Sequence, residues 1–202
     1  SMTSLPTSIE NFITDEENKI LLNTAQNKDQ LFNLARDPGQ RWDKRCLHLN
    51  WLYTKENYDV HQLIVNFGLK LQNKIREIEK NEEFSALVPM IVRWFPGDCI
   101  DPPHADNLKL DGTPAPGYRK WVTHGSVLYL NNDFEGGNFY YHHHDIVVQP
   151  QPKLLILHRA GAEDLHGVYK VTKGIRYTLA CFASDAVNSE IYTLDQYIKT
   201  HK

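Results

Sequence analysis

Residues Ser126 to His158 read SVLYLNNDFEGGNFYYHHHDIVVQPQPKLLILH. The fold is decided in this stretch. It holds four short apolar or β-branched runs, at Ser126 to Asn131, Asn138 to Tyr141, Ile146 to Gln149 and Leu154 to His158. Asn131-Asn132 and Gly136-Gly137 punctuate them, and runs so short between turn signals spell strands rather than helices. Moving outward, Ala86 to Phe95 lies upstream ahead of Pro96-Gly97, and Arg176 to Phe182 lies downstream after Lys173-Gly174. Pro-Gly and Lys-Gly supply the same turn chemistry there.

The N-terminal half carries a different period. Pro6-Thr7-Ser8 followed by Ile9, Phe12, Ile13 and then Ile20, Leu21, Leu22 suggests two short helices joined near Thr14-Asp15. Thr14 with Glu17 has the spacing of a capping box for the second. A longer helix is expected from about Val60 to Asn81, with Leu63, Ile64, Phe67, Leu69, Leu71 and Ile75 mostly on one face. Gln40 to Tyr53, rich in Trp, Leu and His without a clear period, has room for a strand or two. Helices first and closely spaced strands afterwards imply an α+β chain. Short antiparallel strands at this spacing fit a double-sheet jelly roll, although periodicity alone does not separate that from another sandwich. The expectation is one domain over 1–202, with helical support at about 7–82, a jelly-roll core at about 86–184 and a C-terminal segment at 185–202. Ser1-Met2 are left out of this reading.

Composition narrows the function. The 202 residues are 41% hydrophobic and 23% charged, ordinary for a globular protein with a sizeable core. A net charge of −3 gives no basic excess for nucleic acid. No apolar run approaches the ~18–20 residues of a spanning helix. No secretory signal is visible, so a cytoplasmic protein with no membrane partner is expected. The three cysteines, Cys46, Cys99 and Cys181, have no metal-type spacing and read as buried reduced thiols.

Two clusters carry chemistry. In Pro103-His104-Ala105-Asp106, residues two apart on a strand point the same way, about 6–7 Å apart. A metal ion can bridge such a pair, but with ten histidines in the chain a lone His-x-Asp arises easily by chance. His166 in the second cluster, His166-Gly167-Val168, supplies a third ligand. Two histidines and one carboxylate on one face of an octahedral ion leave three positions open, the arrangement of iron(II) oxygenases. Closed structural zinc sites use four protein ligands instead. Arg176, ten residues on and beyond Lys173-Gly174, would enter the same barrel from the neighbouring strand. Its planar fork suits the far carboxylate of 2-oxoglutarate. The bland alternative is a surface arginine in a salt bridge.

Taken together, His104-Ala105-Asp106, Val127-Leu128-Tyr129-Leu130-Asn131 with Phe134-Glu135-Gly136-Gly137, His166-Gly167-Val168 and Gly174-Ile175-Arg176-Tyr177 resemble the prolyl-hydroxylase branch of the 2-oxoglutarate/iron oxygenases. The likeness runs from about Ile91 to Phe182. Pro103-His104-Ala105-Asp106-Asn107 followed by His166-Gly167-Val168 is most similar to the leprecan, or prolyl 3-hydroxylase, type. The resemblance implies iron(II), 2-oxoglutarate and O2, with ascorbate as an accessory reductant. It also implies that Tyr129 joins Arg176 in binding the cosubstrate carboxylate. Trp94 stands where the family has a tyrosine, so that hydroxyl is absent and an indole walls the pocket instead. Cys181-Phe182-Ala183-Ser184 replaces a tryptophan and histidine found late in many prolyl 4-hydroxylases. No catalytic acid or base is expected beyond the metal centre.

The remaining features have plainer readings. His142-His143-His144-Asp145 lies at an expected hairpin tip, where adjacent residues diverge. His158 competes with His166 for third ligand but lacks its sequel, so it lines the pocket or braces a ligand. The insert Leu108 to Thr123 begins beside the metal residues. Tyr118 and Trp121 make it either a substrate-recognition lid or a packed cover. The expected substrate is a peptidyl proline or other protein residue. The alternatives are a small molecule, such as a free amino acid or natural product, and a binding module without turnover.

Overall fold

A computed structural model describes residues 4–202, so Ser1-Met2 lie outside the described residues. Among the described residues, thirteen strands and four α-helices follow one another. The strands are β1 (Thr7–Ile9), β2 (Cys46–His48), β3 (Ser85–Ala86), β4 (Met90–Trp94), β5 (Ile100–His104), β6 (His124–Tyr129) and β7 (Glu135–Gly136). Then come β8 (Phe139–Tyr141), β9 (Ile146–Val148), β10 (Leu155–Arg159), β11 (His166–Val168), β12 (Val171–Lys173) and β13 (Arg176–Ser184). The helices are α1 (Asp15–Asn27), α2 (Asp29–Phe32), α3 (Tyr58–Glu79) and α4 (Leu194–Thr200).

The strands form a seven-stranded sheet in the order β1-β10-β6-β13-β4-β2, with β3 also on β13. A four-stranded sheet runs β5-β11-β8-β9, and β12 pairs with β7. Every pairing is antiparallel.

Alternation along the strands builds two cores. On the large sheet, Ile91, Leu128, Leu155, Leu157, Leu179 and Cys181 face the helices and pack with Leu21, Ile64, Leu71 and Ile75. Their neighbours of opposite parity, Val92, Trp94, Tyr129 and Ile156, pack with Phe139, Tyr141, Val148 and Val168 of the small sheet. The space between the sheets is therefore lined by one parity of each strand. The functional residues enter there.

Helix α3 spans the expected segment, with Val60, Ile64, Phe67, Leu71 and Ile75 buried along one stripe. The Thr14 hydroxyl accepts from the Glu17 amide while the Glu17 carboxylate accepts from the Thr14 amide, which closes the expected capping box on α1. The expected first short helix is corrected. Thr7–Ile9 is a strand, pairing Ser8 with Ile156 at the edge of the large sheet. A three-residue segment with two β-branched residues gains more from an open sheet edge than from an isolated turn of helix, whose nucleus is costly. The segment called helical support thus also contains β1 and β2. The three cysteines are free thiols; Cys181 is buried, while Cys46 and Cys99 are only partly so. Among the described residues no helix is long and apolar enough to cross a membrane.

Candidate metal centre and anion pocket

Register brings the metal-type residues together. β11 runs between β5 and β8, so His166 lies opposite His104 on one side and Tyr141 on the other. The His104 and His166 rings come within 4.5 Å, centroid to centroid. Strand β5 stops at His104, and Asp106 sits in the turn just beyond rather than on the strand as expected. Its carboxylate curls back: Oδ1 is 3.5 Å from His104 Nε2 and 3.3 Å from His166 Nε2. One ligand atom from each of the three residues lies within 4.8 Å of the others, a spacing that one ion can satisfy. Among the described residues no other trio of such side chains converges. His166 and Asp106 are buried, while His104 is half-buried and opens the cluster to one side.

The surroundings set each group's state. His166 Nδ1 donates to the Asp164 carbonyl at 2.9 Å, which turns Nε2 toward the Asp106 carboxylate. Phe139 stacks on the His166 ring at 5.0 Å and 13°. Burial opposes charge on Asp106, yet the nearby His166 and the hydrogen bonds from His104, His158 and His166 outweigh it and hold the carboxyl well below its usual range. Burial also works against a charged His166, but Asp106 wins and raises that pKa. A deprotonated carboxylate facing imidazole nitrogens is the donor set that borderline divalent metals take.

A second polar group lies between the same sheets. Arg176 opens β13 opposite Trp94 of β4. Thr178, two residues on and of the same parity, is opposite Tyr129 of β6. The Arg176 Cζ lies 5.1 Å from the Tyr129 ring centroid and 5.2 Å from that of Trp94. Arg176 is 3% exposed and Tyr129 0%. The guanidinium donates through Nε to the Gly137 carbonyl at 3.1 Å, and among the described residues no carboxylate pairs with it. Arg176 Nη2, the Tyr129 hydroxyl and Trp94 Nε1 are all buried without a hydrogen-bond partner. A buried cation without a counter-ion costs several kcal/mol or more, so this arrangement fits an anion that supplies the missing acceptors. The surface-arginine alternative does not describe it.

Of the other expected residues, His158 sits beside the candidate metal cluster, against Asp106. It is 2% exposed, and its Nε2 donates to Asp106 Oδ2 at 3.0 Å. Trp94 lines the inner core. Tyr118 and Trp121 lie on a 3-10 turn at Gly117–Trp121, 39% and 40% exposed, and the Trp121 indole donates to Glu190 rather than converging on the cluster. The insert is anchored: Ala115 donates to the Asn107 carbonyl, the Asn107 side chain donates to that of Val122, and Arg119 Nη2 donates to that of Asp106 at 3.1 Å. His142 and His143 are exposed in the turn joining β8 to β9, and His144 bonds Asp164 at 2.7 Å. Sequence reasoning missed Tyr141, Asp164 and Arg119. Only Tyr141 left a signal, through its parity with Phe139 in Asn138-Phe139-Tyr140-Tyr141.

No family model matches the chain. Prolyl 3-hydroxylase 1 from Homo sapiens is 37% identical over 104 residues, 46% of this chain and 14% of that protein. Prolyl 3-hydroxylase 3 from Homo sapiens is 33% identical over 93 residues, 41% of this chain and 13% of its own length. The chain thus spans a small fraction of these curated relatives. A viral collagen prolyl hydroxylase from Paramecium bursaria Chlorella virus-1, solved as its 2OG complex, superimposes with a TM-score of 0.61 at 19% identity. That match covers 92% of this chain and 97% of the viral one. A prolyl hydroxylase from Trichoplax adhaerens, solved with a hypoxia inducible factor peptide fragment, gives 0.62 at 18% identity over 89% and 83%. The fold is that of the prolyl hydroxylases, with helices on an antiparallel sheet assembly.

Proposed function

We propose that this chain is an iron(II)- and 2-oxoglutarate-dependent dioxygenase, and that residues 1–202 form one oxygenase domain whose two facing sheets are the walls of a double-stranded β-helix. His104, Asp106 and His166 would hold the iron; Arg176 and Tyr129 would hold the far carboxylate of 2-oxoglutarate. The observation carrying this reading is the pairing of a three-residue metal cluster with a buried, unpaired arginine between the same two sheets. A metal-binding module without turnover has no use for the second feature. Bound there, iron would supply the oxidising chemistry, in which O2 and 2-oxoglutarate are converted to succinate and CO2 and one oxygen atom goes to a C–H bond.

The chain's own residues have limited tasks. Asp106 would supply negative charge to the ion and the two imidazoles neutral donors. Arg176 and Tyr129 orient the cosubstrate, Trp94 walls its carboxylate end, and Phe139 and Val168 keep water out. No side chain needs to move a proton.

The substrate class favoured is a peptidyl proline or another protein residue. Support comes from the sequence likeness to prolyl 3-hydroxylases and the fold shared with a prolyl hydroxylase solved with a peptide fragment. Anaerobic titration with iron(II) and 2-oxoglutarate tests the site. A metal-to-cosubstrate charge-transfer band is expected in wild type and not in His104→Ala, with succinate formed once O2 is admitted. No band in wild type, or the same band in His104→Ala, sinks the assignment. Peptide mass spectrometry after incubation with a proline-containing peptide library tests the substrate class: mass gains of one oxygen support it. Turnover of free amino acids alone overturns it.

A further inference from the structure

We infer that His158, braced by Tyr141, is a positioning residue of the metal centre: it pins one oxygen of Asp106 so that the other stays turned toward His104 and His166. This rests on the metal reading above. The geometry divides the carboxylate cleanly. Oδ1 faces the two ligand histidines at 3.3 and 3.5 Å, whereas Oδ2 takes the His158 Nε2 hydrogen bond at 3.0 Å. An ionised carboxylate only accepts, so Nε2 must be the donor. The other ring nitrogen, Nδ1, lies 3.1 Å from the Tyr141 hydroxyl, which donates to it when the ring is neutral. The relay runs from the Tyr141 hydroxyl through the imidazole to Asp106, entirely within the core; Tyr141 and His158 are 3% and 2% exposed.

Two further observations separate this from a core histidine that merely found a partner. On β6, the residue in register with His158 is Gly125. A Cβ there would stand 2.4 Å from Asp106 Oδ2 and 2.6 Å from His158 Nε2, so the strand is bare where the bond passes. Arg119 Nη2 donates to the Asp106 main-chain carbonyl, fixing the turn that carries the carboxylate. Asp106 lies outside the regular strand, so nothing in the sheet itself dictates its side-chain torsion. The latch supplies that restraint. It also explains why His158 is not a fourth ligand, since both its nitrogens are committed elsewhere.

The test is a Co(II) titration of metal-free protein, followed by visible absorption. His158→Phe keeps the ring volume but removes the donor and should weaken Co(II) binding about 10–100-fold, the usual cost of losing a partner that orients a ligand. His158→Gln places an amide N–H near the same point and should stay within about threefold of wild type. Tyr141→Phe, which loses one hydroxyl, should weaken binding about three- to tenfold. Wild-type affinity in His158→Phe overturns the inference. So does an equal loss in His158→Gln, which would leave only packing. If circular dichroism shows that His158→Phe does not fold, Tyr141→Phe decides, and unchanged affinity there overturns it. Failure of wild type to bind Co(II) strikes the metal reading instead, and is distinguishable for that reason.

Discussion

The two polar groups between the sheets are built in opposite ways. At the metal end the protein has tied its polar atoms to one another: His166 to the Asp164 carbonyl, His158 to Asp106, and Asp164 to Arg159 and His144. Among the described residues, His104 Nδ1 is the one buried side-chain atom there without a partner. At the other end, Arg176 has a single carbonyl, and three buried donors have nothing. The first arrangement is complete without an anion; the second is complete only with one. Stability and function therefore point the same way around Asp106 and in opposite directions around Arg176.

The largest effect should come from removing the shared carboxylate. Asp106→Ala should weaken Co(II) or Fe(II) binding by more than about 100-fold, since even residues that only orient ligands cost 10–100-fold. Calorimetric titration reads this directly, and retained affinity would break the metal half of the comparison.

Arg176→Met sharpens the other half because two signs are expected at once. Affinity for 2-oxoglutarate should fall by about 2–5 kcal/mol, the cost of truncating one partner of a buried charge pair. The ligand-free protein should melt no lower than wild type, because an uncompensated buried cation is gone. A melting temperature several degrees lower would mean that Arg176 already has its partner within the protein.

The two ends should also differ in pH response. His166 is held above its ordinary pKa by Asp106 despite its burial. Below that raised value metal capture must displace a proton, so affinity should fall about tenfold per pH unit as pH drops and level off above it. A guanidinium–carboxylate grip is flat over the same range. Metal titrations between pH 5.5 and about 8.5 should therefore slope where cosubstrate titrations of the metal-loaded protein, corrected for occupancy, do not. Equal slopes would remove the distinction.

How much of this was legible in the sequence follows from what each feature depends on. The place of Arg176 after the Lys173-Gly174 turn is a local cue that faces it inward. Tyr129 and Trp94 are picked out only by the resemblance, because β4 and β6 are buried on both faces and show no alternation to read. The capping box at Thr14 and the stripe on α3 are equally local. What stayed hidden depends on pairing between distant segments. Thr7–Ile9 becomes a strand only because β10, nearly 150 residues on, offers an edge. Asp106 reaches His104 from a turn, so the strand geometry that first suggested the pair was wrong while the pair itself came together. Tyr141 and Asp164 join the metal cluster through the register of β11 against β8 and through a 3-10 turn at Ala162–Asp164, neither of which periodicity encodes.

The smallest expected effects lie around Arg176 and grade the three unpaired donors there. Tyr129→Phe deletes one hydroxyl and should weaken 2-oxoglutarate binding by about 1 kcal/mol, close to fivefold, as one neutral hydrogen bond is worth. Trp94→Phe removes an indole N–H but leaves an aromatic face beside Arg176, so about half that loss is expected. Thermal shift with 2-oxoglutarate at a fixed concentration ranks them without turnover. If Trp94→Phe costs as much as Arg176→Met, the indole is the principal anchor, and the pocket has been turned toward the residue that departs from the family pattern.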